Sequence, residues 1–84
     1  MKLVLNNGKE LFTENYNKIE VSHMYNKKIE RDTYSTEDDG LVASLITHQI
    51  IYGTGIAIRL FYEESDIEGI LIPYRNIHFT ETTL

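Results

Sequence analysis

Thr36-Glu37-Asp38-Asp39-Gly40-Leu41-Val42-Ala43-Ser44-Leu45-Ile46-Thr47-His48-Gln49-Ile50-Ile51-Tyr52-Gly53 is the stretch on which the fold turns. Laid out at 100° per residue, Leu41, Val42, Leu45, Ile46, Ile50 and Tyr52 fall in one half of a helical wheel. Glu37, Ser44, Thr47 and His48 fall in the other half. Read as a strand, the same residues show no alternation. Thr36 suits an N-cap, with Asp39 three residues on at the acidic end of a capping box. Glu37, Asp38 and Asp39 fill the first turn, where negative charge suits the helix dipole. Gly53 stands where a C-terminal cap belongs. Ile51 interrupts the polar side, and Ile, Val, Thr and Tyr favour strands. The spacing predicts one helix over about 37–52. An extended 41–52 would give a small all-β barrel instead.

The flanks read as strands. Lys2-Leu3-Val4-Leu5 is a short one, and Asn6-Asn7-Gly8 a hairpin turn tolerant of positive φ. Lys9 to Glu14 returns with Leu11 and Thr13 on one face. Asn15-Tyr16-Asn17 turns again. Lys18 to Tyr25 alternates, placing Ile19, Val21, His23 and Tyr25 on one face. Asn26-Lys27-Lys28 leads into a charged segment, Ile29 to Tyr34, whose charge suits a sheet edge. After the helix, Ile56 to Tyr62 is apolar on both faces, as a central strand is. Ile70 to Phe79 is the last strand, with Pro73 marking an edge or a bulge. The order β-β-β-(β)-α-β-β predicts a single α+β domain over 1–84, a small antiparallel sheet with the helix packed on one face.

Composition narrows the function classes. Of 84 residues, 8 are Lys or Arg and 13 are Asp or Glu, so 8 − 13 gives a net charge of −5 with histidines neutral. This balance argues against direct binding to nucleic acid or anionic lipid. The chain has no Cys, which excludes a disulfide framework, a zinc ribbon and an iron–sulfur protein. Apolar residues make up 42%, too many for a disordered chain. No run is apolar enough for a signal peptide or a membrane span, so the cytoplasm is the expected compartment. A chain this short buries only about 60–65% of its unfolded surface. Association adds burial, so a homo-oligomer is expected.

No catalytic or metal constellation stands out. His23, His48 and His78 lack ligand spacing. Ser22 and His23 are adjacent, and adjacent strand residues point to opposite faces. No activated nucleophile and no paired carboxylates in a cleft are legible, so the chain reads as a non-enzyme without a cofactor. Tyr52-Gly53-Thr54-Gly55 follows a helix, whereas phosphate loops precede one. Arg59 sits inside the most apolar strand and Arg75 near the end of the last. Flanked by Tyr62 and Tyr74, they form a candidate anion site, with Arg59, Tyr74 and Arg75 as its ligands; a pair of salt bridges to Glu63 or Glu20 is the plainer reading. The run Glu63-Glu64-Ser65-Asp66-Ile67-Glu68 does not match a calcium loop. It has no local structural excuse, and Tyr62 beside it supplies contact area at low entropy cost. Tyr62, Glu63, Glu64, Asp66 and Glu68 are therefore the candidate partner-binding residues.

Eleven Ile and six Asn against two Ala, the acidity, the length and tight hairpins such as Leu5-Asn6-Asn7-Gly8-Lys9 give a general likeness. The chain resembles small accessory proteins carried by phages or plasmids of low-G+C bacteria. Some of those inhibit host defence nucleases as nucleic-acid mimics, and others sequester nucleotide messengers. The resemblance covers style and transfers no residue. It implies a cytoplasmic inhibitor that engages a basic host protein through its acidic face. The alternatives are an oligomer holding a small anionic or nucleotide ligand at Arg59, Tyr74 and Arg75, and a structural homo-oligomeric subunit.

Overall fold

A computed structural model describes residues 1–65 and 67–82. Among the described residues the fold is α+β, with one α-helix and two small antiparallel sheets, and no closed barrel. Strands β1 (Lys2–Leu5) and β2 (Glu10–Phe12) form a hairpin over Asn6-Asn7-Gly8. Gly8 takes the positive φ, 86°, that this turn requires. Strands β3 (Lys18–Tyr25) and β4 (Lys28–Ser35) form a second, longer hairpin. Helix α1 (Asp39–Tyr52) follows, then β5 (Gly55–Phe61), β6 (Gly69–Pro73) and β7 (Ile77–Glu81).

One sheet was expected and two are found. The three-stranded sheet has the order β2-β1-β7, and the four-stranded sheet β4-β3-β5-β6. The reason lies at Pro73. The segment read as one strand is broken by a 3-10 turn at Tyr74–Asn76. Proline supplies no N–H to a ladder, so β6 ends there and the chain crosses to pair with β1. The turn also shifts the alternation: Ile70, Ile72 and Tyr74 lie in or against the core, whereas beyond the turn Ile77 is buried while Asn76 and His78 are exposed. The placements of β4 and β6 at edges and β5 in the centre follow the sequence reading.

Both sheets and the helix share one core. Leu3 and Leu11 come from the first sheet, Ile19, Val21, Ile58, Leu60 and Ile72 from the second, and Val42 and Ile46 from the helix. Register explains the second sheet's share. Ile19 is opposite Leu60 and Val21 opposite Ile58, so the apolar alternations of β3 and β5 coincide on one face. Thr13 is buried without penalty, because its backbone N–H and its hydroxyl both donate to the Met1 carbonyl, at 2.9 and 3.1 Å.

The helix starts two residues later than expected. Its N-cap is Asp38, which makes no side-chain capping bond. Two rival contacts undo the expected capping box. The Thr36 hydroxyl donates to the Tyr16 carbonyl at 3.4 Å, and the Asp39 carboxylate accepts from the Met1 ammonium at 2.6 Å. Glu14 takes the same ammonium. Burial lowers the affinity of that amine for its proton, but the bonds and charges of Asp39 and Glu14 outweigh it and hold its pKa above the usual value. The buried stripe is also rotated from the expected one. Val42, Ala43, Ile46 and Gln49 face inward, while Leu41 and Tyr52 lie on the surface. Gly53 closes the helix in the left-handed conformation expected of it, φ 66°, with the Thr54 N–H donating to the Gln49 carbonyl at 3.1 Å.

Candidate functional site

The acidic run forms a closed loop between β5 and β6. The Tyr62 N–H donates to the Glu68 carbonyl at 2.9 Å, and the Ser65 N–H donates to the Tyr62 carbonyl at 3.0 Å. The Ser65 hydroxyl oxygen accepts from the Ile67 and Glu68 N–H groups at 3.2 and 2.8 Å. Serine is suited to this work, since its short side chain competes for nearby backbone donors in turns. Gly69 lets the loop return to β6. A β-carbon there would overlap the Leu60 carbonyl and the Phe61 backbone.

This bonding fixes what the loop displays. Glu63, Glu64 and Glu68 are exposed. Ile67 is 82% exposed, the most exposed large apolar residue among those described. Tyr62 is half exposed and stacks on Tyr16, with ring centroids 6.4 Å apart and planes 26° from parallel. Of the expected partner-binding residues, the structure thus brings Tyr62, Glu63, Glu64 and Glu68 onto one loop. Asp66 lies outside the described residues. The sequence reading missed Ile67, although one isoleucine inside an acidic run is itself a signal.

The residues of the expected anion site are placed as follows. Arg59 lies on the outer face of the four-stranded sheet, with its guanidinium 5.9 Å from the centre of the Phe61 ring. Lys18 covers the same ring from 4.8 Å. Glu20 is the cross-strand neighbour of Arg59. Tyr74 belongs to the core, and its hydroxyl donates to the buried Gln49 side-chain oxygen. Burial, and after it the charge of Tyr34, pushes the Tyr74 phenol well above its ordinary pKa. Arg75 is exposed beside it. Tyr74 and Arg75 therefore share one groove, of about 250 Å³, with Gln49, Ile50, Gly53 and Gly55. Arg59 is not among its lining residues. A β-carbon at Gly55 would overlap the Tyr74 ring, so glycine is what lets that ring pack against β5. A second groove of about 220 Å³ is lined by Leu5, Asn6, Asn7 and Asn76.

The Ser22 hydroxyl donates to the Ala57 carbonyl at 3.0 Å, away from His23. His23 faces inward as its position on β3 implies, but its Nδ1 is buried and has no hydrogen-bond partner among the described residues. Glu30 stands 4.0 Å from Nε2 and Asp32 4.0 Å from Nδ1. The two acids stand beside different ring nitrogens. No group of three metal-ligating side chains is found among the described residues. No described helix is long and apolar enough to cross a membrane.

Comparisons with protein families, curated proteins and solved structures find no match to this chain.

Proposed function

We propose that this chain is a non-enzymatic binding protein of the cytoplasm, an inhibitor encoded by a mobile element, that engages a basic surface of a host protein. The observation that carries this reading is the loop Tyr62–Gly69. Its backbone is pinned by four hydrogen bonds, and it holds an exposed isoleucine among exposed carboxylates. A preorganised loop loses little entropy on binding. An apolar side chain at its tip serves as an anchor, and the acids around it steer a basic partner and exclude others. A host surface that binds nucleic acid has the charge to receive it, and occupying that surface blocks it.

The test uses the loop variant E63K/E64K/E68K beside the wild type. Both are immobilised and exposed to bacterial cytosolic protein, and the retained basic protein is purified and titrated by calorimetry. The wild type is expected to bind it in a salt-sensitive manner, and the variant at least about tenfold more weakly. The variant should unfold within about 0.5 kcal/mol of the wild type, because the exchanged residues are exposed. Equal affinity of variant and wild type overturns the proposal.

A further inference from the structure

The β3–β4 hairpin carries the complement of the acidic loop. Its two strands pair as far as Tyr25 opposite Lys28, whereas β3 last meets β5 at His23 opposite Gly55. The end of the hairpin therefore projects past its neighbour in the sheet. Asn26 and Lys27 form a two-residue turn, both with positive φ, 49° and 64°. That geometry follows the twist of the flanking strands and leaves a tip with little freedom.

Met24, Tyr25 and Ile29 are 43%, 58% and 52% exposed. Lys27 and Lys28 are exposed at the tip, and Arg31 stands two residues beyond Ile29 on the same face. Glu30 and Asp32 belong to the opposite face, beside His23, and Tyr25 and Lys28 lie on that face too. Met24 and Ile29 stand directly opposite each other and form an exposed apolar pair on the face that carries Arg31.

The acidic loop lies at the other end of the same sheet. It follows Phe61, and β5 runs from Gly55 to Phe61, so the two sites are about 20 Å apart along the strand direction. They cannot meet within one molecule.

We propose that the hairpin tip, residues 24–31, binds the acidic loop of a second copy of this chain and joins copies head to tail. This rests on the reading of the loop as a partner-binding element and names one partner for it. Lys27 at the tip and Arg31 face Glu63, Glu64 and Glu68 of the next copy, and Ile67 enters between Met24 and Ile29. A net charge of −5 sets copies against each other in other orientations, so opposite charge selects this one. The two surfaces in contact are different, so the assembly extends as a chain or closes as a ring.

Sedimentation velocity on the full 9.8 kDa chain, over a range of concentrations at low and at high salt, tests this. The wild type is expected to grow in mass with concentration at low salt and to fall to monomer at high salt. K27E/R31E and E63K/E64K should each remain monomeric at low salt. The variant carrying all four reversals should assemble again, which loss of folding or of unrelated contacts would not produce. A wild type that stays at 9.8 kDa at every concentration overturns the inference, as does assembly indifferent to K27E/R31E. In either case, loss of the host partner by E63K/E64K/E68K leaves the loop reading standing. Retention of that partner removes the loop reading by itself.

Discussion

Tyr74 joins three parts of the fold at a single side chain. It packs on Gly55, donates to Gln49 of the helix and closes the core next to the turn that divides the sheets. Its burial has a pH consequence. In the unfolded chain the phenol ionises near pH 10, and in the folded chain only at higher pH. Above pH 10 the unfolded state therefore holds fewer protons, and stability falls as pH rises; below pH 10 the contribution of Tyr74 is complete. Tyr34, raised by burial and by Asp32, adds to the same slope. Tyr74→Phe is expected to flatten the loss between pH 10 and 11. At neutral pH it should cost about 1–2 kcal/mol, because Gln49 loses its partner. Urea unfolding of both proteins across this range measures both effects, and an unchanged alkaline slope in the variant assigns the loss to other groups.

At the scale of the element, the helix end is local chemistry and the helix face is not. Gly53 takes φ 66°, and a β-carbon there meets nothing within 4 Å. Gly53→Ala is thus expected to cost about 1 kcal/mol through the backbone alone, without repacking. Urea denaturation measures the cost, and a neutral result would place the cap's contribution elsewhere. The cap, the hairpin turns, the edge position of β4 and the central position of β5 were legible in the sequence because each depends on neighbours in the chain. The buried stripe of α1 was not. Leu41, Ile51 and Tyr52 add apolar residues on sides that face solvent, so the wheel has no single direction, and the two sheets decide which side is covered. The start of the helix depends on Met1 and Tyr16, both distant in sequence. The acidic residues of the loop were legible as a run. The work of Ser65 and the exposure of Ile67 were not, because both arise only when the loop closes.

The whole molecule places its single core between two sheets and a helix. Ile46 reaches that core and is fully buried, while Ile51, on the same helix, is not. Ile46→Ala is expected to cost about 2–5 kcal/mol and Ile51→Ala less than about 0.5 kcal/mol. Chemical denaturation of the pair checks this, and similar losses would mean that the outer side of the helix is covered in solution. The separation of the last two strands into different sheets has a further consequence, in time. The four-stranded sheet and the helix are complete once residue 73 has left the ribosome. The first sheet has only the β1–β2 hairpin until β7 arrives, since Leu3 pairs with Thr80. A two-stranded hairpin is marginal alone, so during synthesis the core stands open on that side until the last strand emerges. Closing it pairs Leu3 with Thr80, a contact remote in sequence whose loop-closure entropy is expected to slow that step of folding.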